Sequence, residues 1–114
     1  MPLLAVVDDL IFRSKIEAAA RRLGVEVDVF AAVPAHAKPW TIAMVDLHLS
    51  SGDSIEAIRA LRALLPSAAI VAYGSHVETE LFEKAQEAGS THVLARSAFV
   101  QRLPWILNGF AATD

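Results

Sequence analysis

The sequence predicts an α/β fold, a parallel sheet with helices packed on both of its faces. Two observations predict it. Short, strand-sized apolar runs alternate with segments of helical periodicity, the pattern of a sheet whose strands are buried on both sides. Apolar residues make up 54% of the 114 positions and charged residues only 20%, which supports a packed core and argues against disorder.

The elements follow in order. Leu3 to Val7 is the first strand. Phe12, Ile16, Ala19, Ala20 and Leu23 recur at helical spacing, and Gly24 is placed to end that helix. Glu26 to Phe30 alternates polar and apolar residues, as a half-buried strand does. Ile42 to Val45 is the third strand. Asp53 and Glu56 form a D-x-x-E capping pattern ahead of Ile55, Ile58, Leu61 and Leu65, and Pro66 stops the helix. Ala69 to Tyr73 is the fourth strand. Ser75 and Glu78 form an S-x-x-E capping box before Val77, Leu81, Ala85 and Ala88, with Gly89 at the end. Val93 and Leu94 belong to a short fifth strand. Ser97 is placed to cap a last helix carrying Phe99, Leu103, Ile106, Leu107 and Phe110, which Pro104 is expected to kink or restart.

One unit is short. Only ten residues separate Phe30 from Thr41, and two of them are Pro34 and Pro39. A parallel crossover normally takes about a dozen residues. A turn or a single helical turn is expected where a second helix would stand. No repeat or linker interrupts the chain, so residues 1–114 are expected to form one domain.

Composition removes several classes of function. There is no cysteine, hence no disulfide framework and no thiolate chemistry. No apolar run reaches the length of a membrane span, and the N-terminus has no basic flank of the signal-peptide kind. The expected compartment, by default, is cytoplasmic. Net charge is −3 and no basic cluster exceeds Arg21-Arg22, so neither nucleic acid nor membrane is an expected partner. Neither a G-x-x-x-x-G-K loop nor a G-x-S-x-G elbow is present. Asp46-Leu47-His48 begins a D-x-H pattern like that of cobalamin-binding domains, but Gly52 falls one residue late. His36, His76 and His92 are scattered.

The chemistry lies in three carboxylates. Asp8 and Asp9 follow the first strand and Asp46 follows the third. In a flavodoxin-like order, 2-1-3-4-5, those strands are neighbours and their carboxyl ends meet at the topological switch point, where ligands bind. Gathered carboxylates repel, and a hard divalent cation removes that cost. Magnesium suits the site, since it takes one or two carboxylates and fills its shell with water and phosphate oxygens. Asp46 is then placed to attack a phosphoryl group. A lone Asp after a strand is also a common helix N-cap, the alternative for Asp8 or Asp9 taken singly.

Val6-Val7-Asp8-Asp9 and Val45-Asp46-Leu47-His48-Leu49 resemble the two acidic motifs of response-regulator receiver domains. Asp53, Glu56, Ala57, Ile58 and Arg59 continue the likeness, as does Ala88-Gly89. The resemblance implies a doubly wound five-stranded sheet. It implies that Asp46 is the phosphoacceptor and that Asp8, Asp9, Asp46 and the His48 backbone carbonyl bind Mg2+. It also implies a histidine kinase or small phosphodonor as phosphate source, and an output protein whose identity the sequence does not give.

The pattern is atypical at the positions that read out phosphorylation. Receivers carry a Thr or Ser after the fourth strand, where this chain has Gly74; Ser75 serves only if the loop shifts by one residue. Arg96 stands at the usual Lys position, and a planar guanidinium is not a compact ammonium. A salt bridge from Arg96 to Asp46 that needs no phosphate is the structural alternative. The aromatic switch position on the fifth strand is Val93.

Three readings follow. The first is a stand-alone receiver-like module phosphorylated at Asp46, with output through protein contact unless the chain is a piece of a longer protein. The second is a phosphorylation-independent pseudo-receiver acting as an interaction module. The third, a small metal-using enzyme, lacks any further acid–base constellation; the expectation is no enzyme. The apolar composition, with Trp105 on the last helix, points to a homodimer or a partner helix.

Overall fold

The computed structural model describes residues 2–50 and 52–111. Its elements are β1 (Leu3–Val6), α1 (Leu10–Leu23), β2 (Val27–Phe30), β3 (Ile42–Asp46), α2 (Ser54–Leu64), β4 (Ala69–Gly74), α3 (Thr79–Ala88), β5 (His92–Ala95) and α4 (Arg96–Leu107). The strands form one sheet in the order β2-β1-β3-β4-β5, every pair parallel. The expected flavodoxin-like topology is therefore present, with no helix between β2 and β3.

Strand alternation sorts the core into two layers. Leu3, Ala5, Val7, Ile42, Met44, Val71 and Tyr73 face α1 and α4, where Ile16, Ala20, Phe99, Leu103 and Ile106 meet them. Leu4, Val6, Ala43, Val45, Ile70 and Ala72 face α2 and α3, meeting Ile55, Ile58, Leu61 and Ala85.

The helix-free crossover has a specific filler. The path from β2 to β3 runs back past β1, opposite in direction to the path from β1 to β2. A right-handed connection must then cover the face opposite α1. Trp40 takes that place. It is 4% exposed and packs in the α2/α3 layer. Its Nε1–H donates to Asp28 Oδ2 at 2.9 Å, and its ring meets Phe30 edge-on. The indole thus supplies apolar bulk for the absent helix while its polar edge ties the loop to β2.

Helix ends follow the sequence in part. Asp9 caps α1, its Oδ1 accepting from Ile11 N at 2.9 Å and Phe12 N at 3.4 Å. Gly24 ends α1 in the left-handed region at φ 70°, with Val25 N donating to Ala20 O, as in a Schellman turn. Asp53 caps α2 through Ile55 N, while Glu56 pairs with Arg59 instead of reaching back.

Two expected caps are not formed. The box from Ser75 to Glu78 is absent: α3 starts at Thr79, Glu78 occupies the cap position without a side-chain bond to the helix, and Val77 is exposed. β4 runs on to Gly74, so residues 75–78 are spent on the turn, closed by Glu78 N donating to Ser75 O. Ser97 does not cap α4 either. β5 passes directly into α4 at Ala95-Arg96, which leaves Ser97 inside the first turn. α4 also continues through Pro104 to Leu107 instead of restarting there.

Candidate functional site

The carboxyl ends of β1 and β3 are adjacent, with Val6 paired to Val45, so the residues that follow them share one end of the sheet. Asp46 closes β3 and is 1% exposed. Its Oδ1 accepts from His48 N at 2.8 Å, an Asx-type turn that fixes the carboxylate against its own loop. Its Oδ2 is buried and has no hydrogen-bond partner.

Burial raises the Asp46 pKa above the ordinary 3.8. The His48 amide and the Arg96 guanidinium oppose that shift, and the Asp9 carboxylate adds to it. Asp8 lies across from the β3–α2 loop: its Oδ2 accepts from Ser50 N at 3.0 Å and from Ser50 Oγ at 2.7 Å. Asp8 thus ties the loop after β1 to the loop after β3. Asp9, as the cap of α1, has one oxygen committed to backbone amides.

Among the described residues no three His, Cys, Asp or Glu side chains converge as a ready-made metal cage. The donor set nonetheless fits a cation that needs few protein ligands. It holds a buried carboxylate with one unpartnered oxygen, destabilised by burial and by a neighbouring carboxylate.

The far wall is built by β4 and β5, where Gly74 pairs with Ala95. Gly74, Ser75, His76, Ala95, Arg96 and Ser97 line an open cleft of about 370 Å³ at the strand ends. Gly74 sits in a tight contact. A Cβ there would lie 3.1 Å from Leu47 Cδ1, 3.2 Å from Leu47 Cβ and 3.6 Å from His48 Nε2. His48 Nε2 in turn meets Glu78 Oε1 at 3.2 Å, joining the β3–α2 loop to the β4–α3 loop over Gly74.

Arg96 makes no ion pair with Asp46 within 4.0 Å, so the alternative of a phosphate-free salt bridge is not formed; its charge acts on Asp46 from a greater distance. Its Nε is buried without a partner, and its guanidinium lies over the Phe12 ring at 5.6 Å. Val93 is half-buried on the α2/α3 side of β5.

Sequence reasoning placed Asp8, Asp9, Asp46, Gly74 and Arg96 at one end of the sheet, and the structure brings them together there. It missed Ser50, the His48–Glu78 contact and Tyr73. Tyr73 pairs with Asp46 in the sheet register and is 0% exposed. Its ring is stacked between Phe99 at 4.1 Å and Phe12 at 5.1 Å. The register was the available signal, because the strand partner of Asp46 is the residue before Gly74.

No protein-family model matches the sequence, and no curated protein matches it. Solved structures do. A response regulator from Burkholderia pseudomallei, solved with a phosphorylated aspartic acid, calcium ion and citrate, aligns with a TM-score of 0.77 at 24% identity. The alignment covers 93% of this chain, which spans 65% of that protein's length. The receiver domain of the sensor histidine kinase PA1611 from Pseudomonas aeruginosa PAO1, solved with magnesium in its active-site cleft, aligns with a TM-score of 0.75 at 25% identity. That alignment covers 95% of this chain and 97% of the other. The chemotaxis response regulator CheY4 of Vibrio cholerae aligns with a TM-score of 0.80 at 18% identity, covering 96% and 98%. The chain thus has the fold of response-regulator receiver domains over most of its length.

Proposed function

We propose that the chain is a receiver-like signalling module, residues 1–114 forming one such domain, in which Asp46 accepts a phosphoryl group. The observation that carries this reading is the division of labour on the Asp46 carboxylate. Oδ1 is held by the His48 amide, while Oδ2 is buried and committed to no hydrogen-bond partner. In the transfer, Oδ2 forms a bond to phosphorus as the bond between phosphorus and the donor's leaving group breaks. The products are an acyl phosphate on Asp46 and the released leaving group.

Asp8, Asp9, Asp46 and the His48 backbone carbonyl would hold Mg2+, as magnesium sits in the active-site cleft of the PA1611 receiver. The ion would neutralise charge on the transferring group. Arg96 supplies the remaining positive charge from the start of α4, a planar donor where a lysine is usual. The phosphate source is a histidine kinase or a small phosphodonor, and output passes to another protein or a second copy by surface contact. Such a module is not an enzyme in the ordinary sense, and its proposed setting is cytoplasmic.

A second reading, a phosphorylation-independent pseudo-receiver, is favoured by the filling of the space beside Gly74. A Cβ at position 74 would lie 3.1 Å from Leu47 Cδ1, so a Thr or Ser there would press on Leu47. Beryllofluoride separates the two. With magnesium, wild-type protein is expected to show a bound 19F resonance that Asp46→Asn abolishes. Absence of that resonance in the wild type favours the pseudo-receiver. The tryptophans are poor reporters, since Trp40 precedes β3 and Trp105 lies in the last turns of α4, both away from Asp46.

A further inference from the structure

Among the described residues, four buried side-chain nitrogen or oxygen atoms lack a hydrogen-bond partner: Asp46 Oδ2, the Tyr73 hydroxyl, Arg96 Nε and Ser90 Oγ. Ser90 follows α3 at the opposite end of β5. The other three belong together. Asp46 and Tyr73 are register partners, and Arg96 follows Ala95, the register partner of Gly74. A buried polar group without a partner costs free energy, so three at one spot call for an account. One acceptor-rich group lying between Tyr73 and Arg96 would satisfy both donors.

We propose that the Tyr73 hydroxyl is the hydrogen-bond donor to the oxyanion carried on Asp46, supplying from inside the sheet the hydroxyl that Gly74 lacks. The proposal deepens the reading of Asp46 as phosphoacceptor and rests on it. Phe12 and Phe99 clamp the Tyr73 ring on both faces, so its direction is set by packing. A Thr or Ser at position 74 would crowd Leu47, whereas a tyrosine one residue earlier needs no space there. A phenol carries its proton at neutral pH and is able to donate it to an acceptor. A phosphoryl oxygen on Asp46 is an acceptor only, and Arg96 Nε is positioned as a second donor to it.

The test compares Tyr73→Phe with wild type and Asp46→Asn in beryllofluoride binding with magnesium, read by 19F NMR. Phe retains the ring stack and removes only the hydroxyl. The expected result is wild-type binding, none in Asp46→Asn, and about tenfold weaker binding in Tyr73→Phe. Equal binding by wild type and Tyr73→Phe overturns the role of Tyr73 and leaves Asp46 as acceptor. No binding by wild type overturns both. A second measurement needs no variant. The chain has a single tyrosine, so the tyrosine doublet in the ultraviolet resonance Raman spectrum reports Tyr73 alone. It is expected to shift toward a donating phenol on beryllofluoride addition; an unchanged doublet in protein that binds beryllofluoride overturns the proposal.

Discussion

The Cβ that Gly74 lacks would lie 3.1 Å from Leu47 Cδ1, so the residue after Asp46 fills the space beside the end of β4. Leu47 is itself 4% exposed and held by its amide to Tyr73 O at 2.9 Å, so it has little room to yield. Gly74→Thr, a nominal repair of the receiver pattern, is expected to destabilise the protein by about 1–3 kcal/mol through overpacking. Urea denaturation measures it. An unchanged midpoint would show that Leu47 moves aside freely.

Arg62 on α2 holds together the turns that lead into β4 and β5. Its guanidinium donates to Gly89 O at 2.7 Å and Ala68 O at 2.6 Å, with longer bonds to Leu65 O and Pro66 O. It thus satisfies carbonyls at the ends of two helices that have no partners within them. Arg62→Ala is expected to cost on the order of 2 kcal/mol. Arg62→Lys should recover less than half of that, because an ammonium cannot span the same carbonyls. Thermal melts of the three proteins decide it, and an Arg62→Ala protein as stable as wild type would refute it.

Trp40 carries the crossover that has no helix. Trp40→Phe, which loses the bond to Asp28, is expected to cost about 1 kcal/mol. Trp40→Ala, which empties the site in the α2/α3 layer, should cost about 3–5 kcal/mol. Similar losses for the two variants would mean that the polar edge, and not the ring volume, holds the loop.

The buried Asp46 carboxyl sets the sign of a pH effect. Its folded pKa lies above its ordinary 3.8, chiefly because burial penalises the charged form. The folded state therefore binds the proton more tightly than the unfolded state. The cost of ionisation is absent below 3.8, grows as pH rises above it, and is complete once pH passes the raised folded value. Asp46→Asn keeps an oxygen for the His48 amide and removes that cost. Its melting temperature relative to wild type should climb as pH rises above 3.8 and level off once pH passes the raised folded value, and magnesium should narrow the gap. A gap independent of pH would contradict the assignment.

Much of the frame was legible because strand alternation and caps are local. Gly24 and Gly89 ended their helices, Asp53 capped α2, and the ten residues after Phe30 were too few for a helix. The caps at Ser75 and Ser97 failed because strand length decides which residue is left to cap, and β4 and β5 each ran on beyond the expected end. The three aspartates were legible from their places after neighbouring strands. The role of Leu47 beside Gly74 and the burial of Tyr73 were not, because both arise from the register of β3 against β4, a long-range relation.

Phosphoryl transfer to Asp46 Oδ2 is read by intact-mass spectrometry after incubation with magnesium and a small phosphodonor. The expected result is a gain of one phosphoryl group per chain, removed by hydroxylamine as an acyl phosphate is, and absent from Asp46→Asn. An unchanged wild-type mass, or a gain that persists in Asp46→Asn, would contradict it.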